Sequence, residues 1–248
     1  MSLGPRFFRW HRWLAWIVAL QVLAWVAGGF VFTWLPFKAW VKGEEHVRRP
    51  QQPLPADWAQ QVARHLQAHP GAPVVAVTSV LTPAGPALKL RHAKGESWVG
   101  ADGRVLAAPD EAAMRAFARR HYLGDAGTAL TVTRLPTVPP RALIVREAGE
   151  RTDVWRASFD DFVGTRLYFD ARSGELVAIR NDAWVLYDFF WRLHLMDYTA
   201  GDDFSHPLVK AASLAALALV LTGAVLAVLA VRRSVHARRA RQQRAPGR

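Results

Sequence analysis

The chain has 248 residues, a formal charge of +12 and no cysteine, which removes disulfides and thiolate-bound metals from consideration. Ten of the twelve excess positive charges are arginines within residues 1–12 and 232–248, two segments that carry no acid. Basicity placed beside apolar runs marks a lipid bilayer as partner and argues against nucleic acid.

Residues 1–12, with Arg6, Arg9 and Arg12, read as a basic cytoplasmic tail. Trp13 to Leu35 (13–35) follows as a run whose only polar side chains besides the indoles are Gln21 and Thr33. As a helix it is about 35 Å long, enough for a hydrocarbon core of roughly 30 Å. Trp10, Trp13 and Trp16 stand at one end and Trp34, Phe37 and Trp40 at the other, as interfacial aromatic belts do. The run exceeds a signal-peptide core and leads into Trp34-Leu35-Pro36-Phe37 rather than a small-residue cleavage site, so a retained anchor is expected.

Residues 36–55 are charged and proline-bearing, and read as a connector. Ala56 to His69 suits a helix, with Trp58, Val62 and Leu66 at i, i+4, i+8 and Pro70-Gly71 ending it. Strand signals follow at Val74–Leu81, Ala87–His92 and Ser97–Val99. The pattern then restarts: a helix from Asp110 to Gly124, and strands at Leu130–Leu135, Ala142–Arg146, Val154–Phe159, Thr165–Asp170 and Glu175–Ile179. Helix then antiparallel meander, twice, predicts an α+β fold of two repeats, 56–108 and 109–182.

Residues 183–206 form an aromatic collar. Trp184 to Tyr198 fits a helix with Leu186, Phe190 and Leu193 on one side and Asp188 spaced for pairing with Arg192. Such a helix either lies flat on the outer leaflet or docks on the inter-span domain. Pro207 to Val231 (207–231) is the second apolar run, rich in small residues that permit close approach to the first span or to a second copy. Residues 232–248 close the chain as a second basic tail. Arginine at both ends places both termini in the cytoplasm of a bacterial inner membrane, with 36–206 in the periplasm.

Several stretches resemble the PepSY family and its associated transmembrane helix. Val154-Trp155-Arg156-Ala157-Ser158-Phe159 followed by Leu167-Tyr168-Phe169-Asp170-Ala171-Arg172-Ser173-Gly174-Glu175-Leu176 is similar to the PepSY Trp strand and its Asp-x-x-x-Gly-Glu hairpin. Val99 to Val105 resembles a degenerate first copy. Arg9-Trp10-His11-Arg12-Trp13-Leu14, and Asp188 to Tyr198 with Asp203-Phe204-Ser205-His206-Pro207-Leu208, resemble the family's membrane-entry segments. The resemblance implies an inner-membrane protein that presents a PepSY-like binding or accessory module outside. Four-span members are similar to ferric-siderophore reductases carrying b-type haem between histidine-bearing helices; two runs here depart from that pattern.

His11, His194 and His206 are therefore the candidate haem ligands, and the alternative function is a redox subunit for iron or siderophore reduction. His11 lies at the cytoplasmic mouth and the other two at the outer mouth, about 30 Å apart, so one iron cannot join the two groups. Ligation would need His206 with His194, His206 with His46, or histidines from a dimer or another membrane redox protein. His65 and His69, at i, i+4, share a helix face that could hold a metal but reads better as solvated. Asp197, Asp202, Asp203 and His206 offer a hard-cation set beside an interface where carboxylates are ordinarily solvated. Asp160-Asp161 is expected to make a hairpin turn. The sequence carries no nucleophile elbow, phosphate loop or zincin motif, and no catalytic residue is assigned.

Overall fold

The computed structural model describes residues 3–70, 73–93, 95–198 and 206–244. The fold is mixed α+β, with a long apolar helix at each end and antiparallel sheets between. It divides into two units, Met1–Val31 with Phe190–Arg248, and Phe32–Phe189.

In the first unit α1 (Leu3–Trp34) and α5 (Pro207–Arg244) are each long and apolar enough to cross a membrane, and mark a membrane protein. On α1, Trp13, Trp16, Ile17, Leu20, Leu23, Val26 and Phe30 are exposed, as are Leu214, Leu217, Val220, Leu221, Val225 and Val228 on α5. So much large apolar surface facing outward suits hydrocarbon rather than water. Both helices run on through arginines of the basic segments at the chain's two ends. Arginine is a good helix former, and no proline or glycine interrupts α5 after Gly223 within the described residues.

A single stripe of α1 is turned inward: His11, Leu14, Val18, Gln21, Trp25 and Gly28, at spacings of three and four. It holds His11, Gln21 and the Trp25 indole. His11 Nδ1 meets Thr222 Oγ1 at 3.1 Å. The Thr222 hydroxyl already donates back to Ala218 or Leu219, so the imidazole Nδ1–H donates to it. Gln21 Nε2 donates to the Leu193 carbonyl and Trp25 Nε1 to the His194 carbonyl, each at 2.9 Å. Those carbonyls belong to the last turn of α4 (Asp182–Leu195), beyond the regular helical ladder, and the Leu193 carbonyl also accepts from Met196 N at 3.3 Å.

In the second unit α2 (Trp58–Ala68) precedes a three-stranded sheet, β1 (Val74–Thr82), β2 (Gly85–His92) and β3 (Gly95–Val99), in the order β1-β2-β3. Leu88, Leu90 and Val99 form its core, with Val62 of α2 and Val74 and Val77 packed against them. α3 (Glu111–His121) precedes a four-stranded meander, β4 (Leu130–Leu135), β5 (Val154–Phe159), β6 (Arg166–Asp170) and β7 (Leu176–Arg180). Asp110 caps α3 by accepting from Ala113 N at 2.8 Å. Met114, Phe117, Ala118 and His121, at i, i+3, i+4, i+7, turn its buried face onto Trp155, Leu167 and Phe169.

The expected strand at Ala142–Arg146 is instead a tight turn. Arg141 and Val145 form an isolated bridge, and Ala142 and Leu143 take φ values of 45° and 72°. Pro139-Pro140 supply no N–H for a ladder. The segment closes over the other face of the meander, where Leu135, Val138 and Ala148 pack on Val154, Tyr168 and Ala178.

The Asp170–Glu175 hairpin joins the two sheets. The Asp170 carboxylate accepts from the Arg172 and Ser173 amides and the Ser173 hydroxyl, shaping the turn. Gly174 sits at φ 72°, and a Cβ there would collide with the Pro83 ring in the β1–β2 turn. Glu175 then accepts from Trp98 Nε1 at 2.9 Å and pairs with Lys89 at 3.2 Å, both in the first sheet. Gly174→Ala should lower stability by about 1–3 kcal/mol from backbone strain alone, and more with the collision at Pro83. Urea unfolding of the purified protein measures this; a wild-type midpoint would contradict the packing described.

Candidate functional site

The histidines proposed as haem ligands are held at different levels of α1. His11 is engaged by Thr222, whereas His194 belongs to the turn that Trp25 holds. Fourteen residues of helix separate those positions on α1, about 21 Å at 1.5 Å per residue. Within one chain His11 and His194 do not fit a single b-type haem. His206 Nδ1 accepts from the Leu208 amide at 3.3 Å, just ahead of α5. Of the proposed hard-cation set, Asp202 and Asp203 lie outside the described residues, and Asp197 is buried.

α4 is anchored by side chains at both its ends. Its last turn is held by Gln21 and Trp25, and in the second unit Tyr187 packs on Phe32 and Phe37, with ring centroids 4.7 and 5.3 Å away. At its start Asn181, fully buried, accepts from Trp184 N at 2.7 Å as an N-cap. The same side chain donates to the Trp40 carbonyl at 2.5 Å, tying α4 to the chain that emerges from α1.

His65 is buried, at 3% exposure, where a solvated face was expected. Its ring stacks on His69 at 4.6 Å and lies 6.1 Å from His92, which comes from β2. The i, i+4 spacing showed the first neighbour; the second comes from the sheet. Among the described residues no group of three His, Asp or Glu is arranged to hold a metal ion.

One concave feature of the inter-span domain lies where the open edges of its two sheets approach. β1 and β7 are both edge strands, and Val80 and Leu81 of the first and Leu176 to Arg180 of the second line a cleft of about 320 Å³. Val41, Lys42, Arg49, His121 and Trp184 complete its wall. Three of these groups are cationic: Lys42, Arg49 and Arg180. The one carboxylate, Glu175, is already committed to Trp98 and Lys89.

Arg180 is the most constrained of the three. Its guanidinium stacks over Trp184 at 3.9 Å from the ring centroid, and one Nη donates to its own Ile179 carbonyl at 2.8 Å. Its Nε is enclosed with no hydrogen-bond partner. Burial pulls its pKa down to about 10, against the attraction of Asp188 and Glu147. The guanidinium is still charged at neutral pH, and it is short of partners.

A second charged cluster, which the sequence did not reveal, holds the 136–153 loop on the meander. Glu147, 3% exposed, accepts from Arg166 Nε and Nη2 at 2.8 and 2.6 Å and from the Tyr168 hydroxyl at 2.7 Å. Arg166 also reaches Asp182 at 2.8 Å. Burial, then the Glu147 carboxylate, raises the Tyr168 pKa, so the phenol stays protonated. Every strong group here is matched, and the cluster acts as a clamp.

Asp161 is the turn residue anticipated between β5 and β6. Burial would raise its pKa, but hydrogen bonds from Thr165 and Tyr122 hold it below the ordinary carboxylate value. Comparison with protein-family models, with curated proteins and with solved structures finds no match to this chain.

The pH dependence of folding follows from two histidines. Burial, then His69 and His92, lowers the pKa of His65; burial also lowers that of His121, against the bond to the Arg48 carbonyl. The unfolded chain therefore takes up these protons first, and stability falls as pH drops through about 6.5. The thermal midpoint should be lower at pH 5.5 than at pH 7.5. The difference should shrink in His65→Gln/His121→Gln, and a midpoint that rises on acidification would contradict the assignment.

Proposed function

We propose that this chain is a two-pass protein of the bacterial inner membrane that holds a tandem PepSY-like domain in the periplasm as a binding or accessory module. The observation that carries the reading is the arrangement itself. Two outward-apolar helices bracket an α+β domain in which helix and antiparallel sheet occur twice, with a cationic cleft at the open edges. The Asp170–Glu175 hairpin supports the family reading because each of its motif residues has a structural role. Asp170 shapes the turn, Gly174 permits the approach to Pro83, and Glu175 joins the sheets. The orientation rests on the arginines that extend both apolar helices at the chain's two ends.

The partners of this reading are the bilayer and a ligand taken up in the cleft. A haem-bearing redox subunit would need a pair other than His11 with His194, which stand apart along α1: His206 with His194 or His46, or a histidine from a second chain.

Reporter fusions test the orientation. Green fluorescent protein fused after Arg248 should fluoresce in intact cells, and alkaline phosphatase at the same position should be inactive. Phosphatase inserted after Arg104, an exposed turn of the inter-span domain, should be active. The opposite pattern would overturn the topology.

A further inference from the structure

We propose that the cleft between β1 and β7 binds a small amphiphilic anion, its phosphate or carboxylate held by Arg180, Arg49 and Lys42 and its apolar part against Val80, Leu176 and Trp184. This rests on reading the inter-span domain as a binding module, and it adds the chemical class of the ligand.

Three features of the cleft lead to that class. The first is charge. Three cations line it, and the sole carboxylate of the lining is bonded to Trp98 and Lys89. A ligand bearing one or two negative charges would compensate groups that the protein leaves in excess.

The second is the state of Arg180. Stacking on Trp184 fixes the plane of the guanidinium, and the hydrogen bond to the Ile179 carbonyl occupies only one of its five N–H groups. Enclosing Nε without an acceptor is costly in a folded protein unless something else supplies one. A planar fork held by a ring and short of acceptors is preorganised for a carboxylate or phosphate oxygen. By contrast, Arg166 in the clamp has its acceptors within the chain and has nothing to offer a ligand.

The third is size and wall chemistry. A cleft of about 320 Å³ suits a small molecule or the headgroup end of a larger one. Its aliphatic lining favours an apolar moiety attached to the anion, which a bare inorganic ion lacks. Val41 and Lys42 follow the end of α1 at Trp34 by only seven and eight residues, so a headgroup of the surrounding lipid is one source of this chemistry. A free amphiphilic solute is the other.

Hexyl phosphate is the probe, with inorganic phosphate and hexanol as its two halves. Binding is measured by titration calorimetry on the full chain in phosphatidylcholine nanodiscs. Hexyl phosphate should bind saturably, and inorganic phosphate or hexanol at least about tenfold more weakly. Arg180→Gln should weaken hexyl phosphate by about tenfold or more. Lys42→Gln/Arg49→Gln changes only exposed side chains, keeps the fold, and should weaken it in the same direction.

Replacing one fifth of the lipid by phosphatidylglycerol separates the sources. Competition that vanishes in Arg180→Gln assigns the site to a lipid headgroup; unchanged affinity assigns it to a free solute. Equal affinity for hexyl phosphate and inorganic phosphate, or wild-type affinity in both variants, would overturn the proposal. The fusion pattern would stand in that case, so loss of this inference is distinguishable from loss of the topology.

Discussion

The carbonyls of a helix's last turn have lost their intrahelical donors and must find others. The last turn of α4 presents its carbonyls beside α1, and Gln21 and Trp25 donate to two of them, at Leu193 and His194. Gln21 is one of only two polar side chains, besides the indoles, in the first apolar run, and this bond gives it a purpose. The same stripe carries His11 to Thr222, where a Cβ on Gly223 would come within 3.1 Å of the imidazole. His11, Gln21 and Trp25 of α1 thus face protein while Trp13, Trp16, Ile17 and Leu20 face outward. The spacing of these contacts along α1 also separates His11 from His194, which removes the simplest arrangement for a haem within one chain.

The domain between the spans solves a different problem. Each of its sheets is too small to bury a large core alone. The Asp170–Glu175 hairpin of the second sheet is pressed onto the first through Pro83, Trp98 and Lys89, so the two halves share contacts. Joining them there leaves β1 and β7 as open edges with a cleft between. Asn181 ties the start of α4 to the Trp40 carbonyl, which brings Lys42 and Trp184 to the same cleft. The cationic lining thus follows from how the halves and their connectors meet, and the Glu147–Arg166 clamp keeps the 136–153 loop in place on the far face.

Much of this fold was legible in the sequence because local pattern and final structure agree. Asp110 before an apolar i, i+3, i+4, i+7 series gives a capped helix, and the apolar, aromatic-rich runs Val154–Phe159 and Arg166–Asp170 give strands. What stayed hidden depends on residues far apart in the chain. Ala142–Arg146 has strand composition, but the prolines before it and the pull of Arg166 on Glu147 make it a loop. His65 looked solvated from its own helix; β2 covers it with His92. The helical state of the basic segments follows from arginine's helix propensity, which charge pattern alone does not express. Arg180 drew no notice, since only the meeting of two sheet edges with Trp184 makes it exceptional.

The account depends on α4 ending beside the middle of α1, well away from the level of His11. The chain has no native cysteine, so paired cysteines report this without background. Gln21→Cys/Leu193→Cys, which retains the Trp25 bond, should be joined in membranes by a short bis-maleimide. His11→Cys/Leu193→Cys, offset by ten residues or about 15 Å along α1, should not be joined. Equal cross-linking of the two pairs, or cross-linking of the second pair alone, would contradict the account.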